Sequence, residues 1–158
     1  MEKILSQLEE NGRLTNKQLA AMNGISEAEA AAAVKAYEAD GVILGYPALI
    51  DWDKTEKEYV QAIIELTVMP ARDTGFDGVA EAISAYPQVK SIYLMSGTYD
   101  LSLVVEGKTM REIAFFVAQK LASIDGVTGT ATHFIMKKYK DKGVVFTPES
   151  EDERGNCN

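Results

Sequence analysis

The sequence predicts a chain of class α+β in two parts: a helix-turn-helix over residues 1–46 and a ferredoxin-like βαββαβ sandwich over residues 59–147. Three observations predict it. Two capping-box patterns, Thr15 with Gln18 and Ser26 with Glu29, each open a short run of helical apolar spacing. Asn-Gly or Asp-Gly pairs close the helical segments of the first fifty residues. Beyond residue 58, strand-like and helix-like segments follow in the order β-α-β-β-α-β. A chain of 158 residues with 46% hydrophobic and 25% charged content can build two such units, of about 50 and 100 residues.

Ile4, Leu5 and Leu8 make one stripe on a first helix that Asn11-Gly12 stops. Thr15 caps a second helix, with Leu19, Ala20 and Met22 on its inner face and Asn23-Gly24 at its end. Ser26 caps a third, from Glu27 to about Ala39, stopped by Asp40-Gly41. A short helix, a turn holding Gly24 and Ile25, and a longer helix make a helix-turn-helix, although a plain three-helix bundle fits the same pattern. Val42-Ile43-Leu44-Gly45-Tyr46 has the composition of a strand leaving the domain.

Residues 47–58 read as a linker strand ending in the charged run Asp53–Glu58. Trp52, the only tryptophan, is expected to pack at a domain or subunit junction. Tyr59–Val68 is rich in β-branched and aromatic residues and reads as a strand, ended by Pro70. Phe76, Val79, Ala80 and Ile83 have helical spacing, closed by Tyr86-Pro87. Val89–Met95 forms a second strand and turns at Ser96-Gly97-Thr98 into a third, Tyr99–Glu106, with Gly97 supplying permissive backbone. Thr109 caps a helix with Met110, Ile113, Ala114, Val117, Leu121 and Ile124 facing inward. Asp125-Gly126 ends it, and a last strand runs from Thr128 to Lys138. Two helices cover one face of such a sheet, so the other face predicts a dimer. Residues 148–158 read as a disordered acidic tail. Lys137, Lys138, Lys140 and Lys142 form the one basic cluster, either a solvated strand end or a surface for acidic partners or DNA.

The net charge of −8 bears on partners. Residues 1–50 carry four basic and seven acidic side chains. Composition alone therefore argues against a nucleic-acid protein, whose affinity comes largely from neutralised phosphates. The order of the residues argues for one. No apolar stretch approaches the ~20 residues that span a bilayer. The start lacks a basic segment followed by an apolar one, and the single cysteine, Cys157, cannot build a disulfide framework, so a cytoplasmic protein without membrane contact is expected. His133 is the only histidine, which leaves a metal site or a His-based triad without partners, and it reads as a packed or rim residue. Phosphate-binding glycine loops are missing as well. No cofactor is expected, and the chain reads as non-enzymatic.

Several stretches resemble the Lrp/AsnC family of transcriptional regulators. Leu8–Arg13 is similar to its L-x-E-N-G-R segment, Leu19-Ala20 with Gly24-Ile25-Ser26 to its L-A…G-L-S turn, and Tyr37–Tyr46 to L-E-x-x-G-V-I-x-G-Y. Further on, Gly97-Thr98-Tyr99-Asp100-Leu101 resembles its G-x-Y-D-L hairpin. Leu121–Val127 and Thr130-Ala131-Thr132 resemble its L…G-V…T-x-T ending. The resemblance implies a (winged) helix-turn-helix that meets double-stranded DNA through Thr15, Asn16 and Lys17 and the recognition helix residues Ser26, Glu27, Glu29, Ala30, Ala32, Ala33 and Lys35. It also implies a sensing domain that takes an amino acid or related metabolite at Gly97, Thr98, Tyr99, Asp100, Thr128, Thr130 and Thr132, within homodimers assembling into an octamer. Physically, a tight turn offers N–H groups to a carboxylate, Asp100 suits an α-ammonium, and threonine hydroxyls donate and accept. Gly97 and Asp100 are also ordinary turn formers. One departure stands out: where the family's third helix presents arginines, this chain has Ala32, Ala33 and Ala36. Alanine can touch a thymine methyl but cannot hold a phosphate or pair with guanine. A sensor or assembly partner that has lost DNA binding is therefore the alternative.

Overall fold

The computed structural model describes residues 2–146, and the expected acidic tail with Cys157 lies outside them. The chain divides into two units, one up to residue 50 and one from residue 51 onward.

In the first unit, three helices form where the caps and apolar spacing place them: α1 (Glu2–Glu10), α2 (Asn16–Asn23) and α3 (Glu27–Ala39). Ile4 and Leu8 sit one turn apart on α1 and meet Leu19, Ala20 and Ala30 in a small core, flanked by Leu14, Ala33, Val34 and Ile43. Gly24 ends α2 at φ +67°, a left-handed conformation that glycine adopts without a Cβ clash, and its N–H donates to the Ala20 carbonyl. Met22, expected inside, is exposed instead, because the face toward α3 is filled by Leu19 and Ala20. The strand expected over Val42–Tyr46 is not formed. A strand needs a ladder partner, and here the N–H groups of Val42 and Ile43 both donate to the Tyr37 carbonyl at the end of α3. Tyr46 turns back to donate its hydroxyl to Glu38 Oε1 at 2.8 Å. The linker strand expected over 47–58 is likewise absent, and its one regular element is a single 3-10 turn, Trp52–Lys54.

The second unit is the βαββαβ sandwich. Its elements are β1 (Val60–Val68), α4 (Asp77–Ser84), β2 (Val89–Leu94), β3 (Leu101–Gly107), α5 (Met110–Gln119) and β4 (Val127–Phe134). The sheet order is β2-β3-β1-β4 with every neighbouring pair antiparallel. Strand alternation sends Ala62, Ile64, Leu66 and Val68 of β1 and Leu101, Leu103 and Val105 of β3 to one face. There they pack on Val79 and Ile83 of α4 and Ile113, Phe116 and Val117 of α5, with Leu121 just beyond. The opposite face carries Gln61, Ile63, Glu65 and Thr67, beside Ser102, Val104 and Glu106, and among the described residues no helix of the unit packs on it.

Several edges differ from the sequence expectation. Helix α5 stops at Gln119 and tightens into a 3-10 turn at Leu121–Ser123; its inner face is Ile113, Phe116 and Val117, while Met110 and Ala114 face solvent. The connection from β2 to β3 is an irregular loop over residues 95–100 rather than a tight turn. The last long strand ends at Phe134, and a separate two-stranded hairpin follows, β5 (Lys140–Asp141) with β6 (Val144–Val145). Trp52 lies 5.9 Å from the Tyr59 ring with Lys57 Nζ 3.6 Å over its own face. Among the described residues, no helix is long and apolar enough to cross a membrane, and no cluster of three His, Cys, Asp or Glu side chains could hold a metal.

Candidate DNA face and effector site

The helix-turn-helix face is set by how α3 rests on α2. Ala30 is 0% exposed, locked in the core of the first unit, so it cannot reach DNA and is withdrawn from the predicted contacts. Alanine on a helix carries no polarity signal that says which way it points. Ala33 is half-buried against the same core. The exposed positions of α3 are Glu27, Ala28, Glu29, Ala32, Lys35, Ala36, Glu38 and Ala39, so an outer face of alanines is broken by one lysine. Thr15, Asn16 and Lys17 are exposed at the start of α2.

Both predicted caps are built. Thr15 Oγ1 accepts from the Gln18 N–H, while Gln18 Oε1 accepts from the Thr15 N–H at 2.9 Å. Ser26 Oγ accepts from the Glu29 N–H, and Glu29 Oε2 accepts from the Ser26 N–H and hydroxyl at 2.8 and 2.7 Å. Those bonds from Ser26 hold the Glu29 carboxyl below the ordinary glutamate range. Glu29 thus turns back onto its own helix terminus, where a carboxylate complements the dipole, rather than out toward a phosphate.

In the second unit Gly97 to Asp100 and Thr128 lie at one end of the sheet, while Thr130 and Thr132 stand further along β4. The Asp100 N–H donates to the Leu66 carbonyl at 2.9 Å, and Asp100 Oδ2 accepts from the Val68 N–H at 2.8 Å. Asp100 therefore pins the 95–100 loop to the end of β1. On the other side of β1, Thr128 Oγ1 donates to the Thr67 carbonyl at 3.2 Å. Thr130 stands opposite Leu66 and Thr132 opposite Ile64, on the helix-covered side of an edge strand, Thr130 exposed and Thr132 half-buried. Gly97 and Thr98 are exposed at the loop tip, and Tyr99 is half-buried. Gly97 does not occupy the left-handed region, so the permissive backbone expected of it is not used. A six-residue connection spreads the reversal over more bonds than a two-residue turn does. Among the described residues, the N–H groups of Ser96 to Tyr99 make no main-chain hydrogen bond. What the sequence did not flag is main chain, the Leu66 carbonyl and the Val68 N–H, for which no side chain gives a signal. His133 lies on the uncovered sheet face, its Nε2 3.5 Å from Glu65 Oε2.

Two family models match the chain. One, described as an Lrp/AsnC ligand binding domain, covers residues 61–145, and one described as a winged helix-turn-helix DNA-binding domain covers residues 2–43. An HTH-type transcriptional regulator of Bacillus subtilis, YugG, is 45% identical over 96% of this chain and 92% of its own. The leucine-responsive regulatory protein of Haemophilus influenzae is 30% identical over 87% of this chain and 82% of its own. Among solved structures, a Neisseria meningitidis transcriptional regulator in complex with L-Met superposes with a TM-score of 0.71 at 29% identity, covering 88% of this chain and 89% of that one. Capped helix-turn-helix, βαββαβ sandwich and matched models agree: the chain belongs to the Lrp/AsnC family of DNA-binding transcriptional regulators, with a helix-turn-helix domain and a ligand-binding domain.

Proposed function

We propose that the chain is a cytoplasmic, homo-oligomeric regulator whose second unit senses an amino acid or a related zwitterion at the sheet end formed by residues 95–100, the end of β1 and the start of β4. The observation that carries this reading is the pairing of opposite needs at that end. Asp100 offers a carboxylate to an α-ammonium, and the N–H groups of Ser96 to Tyr99 are open to an α-carboxylate. The L-Met complex of the Neisseria relative supports the same ligand class. Dimers form across the uncovered sheet face and assemble further into octamers. The ligand acts by binding one assembly or DNA-bound state more tightly than another.

The test is a titration of the protein on DNA from upstream of its own gene beside a scrambled duplex. It is run at about 50 and 200 mM salt, across which several phosphate contacts weaken steeply, with and without each L-amino acid. A preference for the upstream DNA that survives the higher salt and moves with one ligand is the expected result. Preference at neither salt would move the assignment to the second reading, a sensor or assembly partner without useful DNA binding. That reading is favoured by the exposed Ala28, Ala32, Ala36 and Ala39 on α3. Ala32→Arg with Ala36→Arg separates the two, since both positions are exposed. A pure sensor gains DNA affinity strongly from the pair, and a competent binder changes little.

A further inference from the structure

The family's DNA-binding activity and the charge distribution of this chain pull in opposite directions. The first unit is acidic, and Lys35 is the only cation on α3. Phosphate neutralisation is what gives such proteins most of their sequence-independent affinity. The chain concentrates positive charge in one place, the segment through the β5–β6 hairpin. Residues 137–146 hold four lysines against one aspartate, a surplus of three, so the remainder of the chain carries −11.

The segment presents three of the four lysines outward. Lys137, Lys140 and Lys142 are exposed, and neither Lys140 nor Lys142 has an ion-pair partner among the described residues. Lys138 is tied down, its Nζ 3.9 Å from Asp141 Oδ2 and 5.6 Å from the Tyr59 ring. Tyr139, 72% exposed, stands beside Lys137, whose Nζ lies 5.2 Å from its ring.

The tip gives a second, independent observation. Lys142 and Gly143 are the two central residues of the turn, at φ 45° and 81°, and Lys142 is the one non-glycine residue with positive φ among those described. Such a turn selects asparagine, aspartate or glycine at its first central position. A lysine there has a long cationic side chain in a conformation it rarely adopts. Folding does not ask for it.

We infer that the segment from Lys137 through the β5–β6 hairpin is a second DNA-contacting element, in which Lys137, Lys140 and Lys142 hold backbone phosphates and compensate for the alanine-faced recognition helix. A two-stranded ribbon fits a groove of the duplex, and lysine holds phosphate as a point charge without reading bases. The inference rests on the DNA-binding reading above.

The experiment measures affinity against salt for the full chain, for Lys142→Asn, and for Lys137→Gln/Lys140→Gln/Lys142→Asn. Upstream and scrambled duplexes are used alongside melting curves and light scattering. Asparagine suits the turn better than lysine, so the single variant keeps the hairpin and removes only the charge. Each phosphate that is no longer neutralised should flatten the slope of log K against log salt by about 0.9. The slope therefore flattens by about one phosphate's worth for each DNA-contacting protomer in the single variant and about three for each in the triple variant. Both duplexes show the change equally, with mass and melting unchanged. A wild-type chain that binds while both variants keep its slope overturns the hairpin and leaves the regulator reading standing. So does a triple variant that changes assembly mass at constant slope, which would place the hairpin against an acidic face of another copy. A wild-type chain that binds neither duplex overturns both.

Discussion

A methyl group added to Gly97 would meet no atom of the chain within 4 Å, and the backbone there is outside the left-handed region. Gly97→Ala should therefore leave the melting temperature unchanged or raise stability by up to about 1 kcal/mol, by restricting the unfolded chain. If a ligand or a second copy approaches the loop tip, calorimetric titration with amino acids will lose its signal in a protein that still folds. Asp100 behaves oppositely. Asp100→Ala leaves the Val68 N–H without its acceptor, at a cost of about 1–3 kcal/mol, visible in urea unfolding before any ligand is added. The motif around Gly97 and Asp100 was legible in the sequence, but the division of labour was not. The aspartate holds the loop, and the space beside the glycine is free of other atoms of the chain. Ala30 teaches the same lesson, since nothing in a run of alanines marks which one is enclosed.

The helices of the first unit were legible because their signals are local. Thr15, Gln18, Ser26 and Glu29 supply the hydrogen bonds that begin α2 and α3, and the two members of each pair lie within one turn of each other. Ser26→Ala should cost about 1 kcal/mol in thermal unfolding, the usual loss for a removed cap. The cap should also depend on pH. Its hydrogen bonds lower the Glu29 pKa in the folded state. The stability they supply is therefore complete above the ordinary glutamate range and disappears as pH falls through the lowered value. Melting curves followed by circular dichroism from about pH 6 to about pH 3 should lose less in Glu29→Gln than in the wild type at this helix, because an uncharged amide caps without titrating. Element edges were less legible. Val42–Tyr46 has strand composition, yet a strand is made by its partner, and the available donors go to Tyr37. The sequence expectation runs helix α5 through Ile124, but it gives way to a 3-10 turn after Gln119, and its inner face takes Phe116, three residues beyond Ile113, in place of Ala114.

For the whole molecule, element order was enough to give the βαββαβ sandwich, and the structure adds its sheet order, β2-β3-β1-β4, one of the few ways in which two split βαβ halves in antiparallel register close. What covers the free sheet face is not written in the strand pattern, which says only that Ile63, Val104 and their neighbours lack a roof. Ile63→Lys should lower the assembly mass in light scattering while helicity and the melting of the second unit stay close to wild type, since residue 63 is outside its core. Unchanged mass would direct the search for the dimer contact elsewhere. The two hydrophobic clusters, one built on Leu19 and Ala30 and the other on Ile64 and Leu103, share no residue. Inheritance can exploit that separation. A recombination crossover falling between residues 47 and 58 leaves each cluster whole, so a lineage can trade its sensor for another, or its reading head for another, without a folding intermediate that selection must first repair.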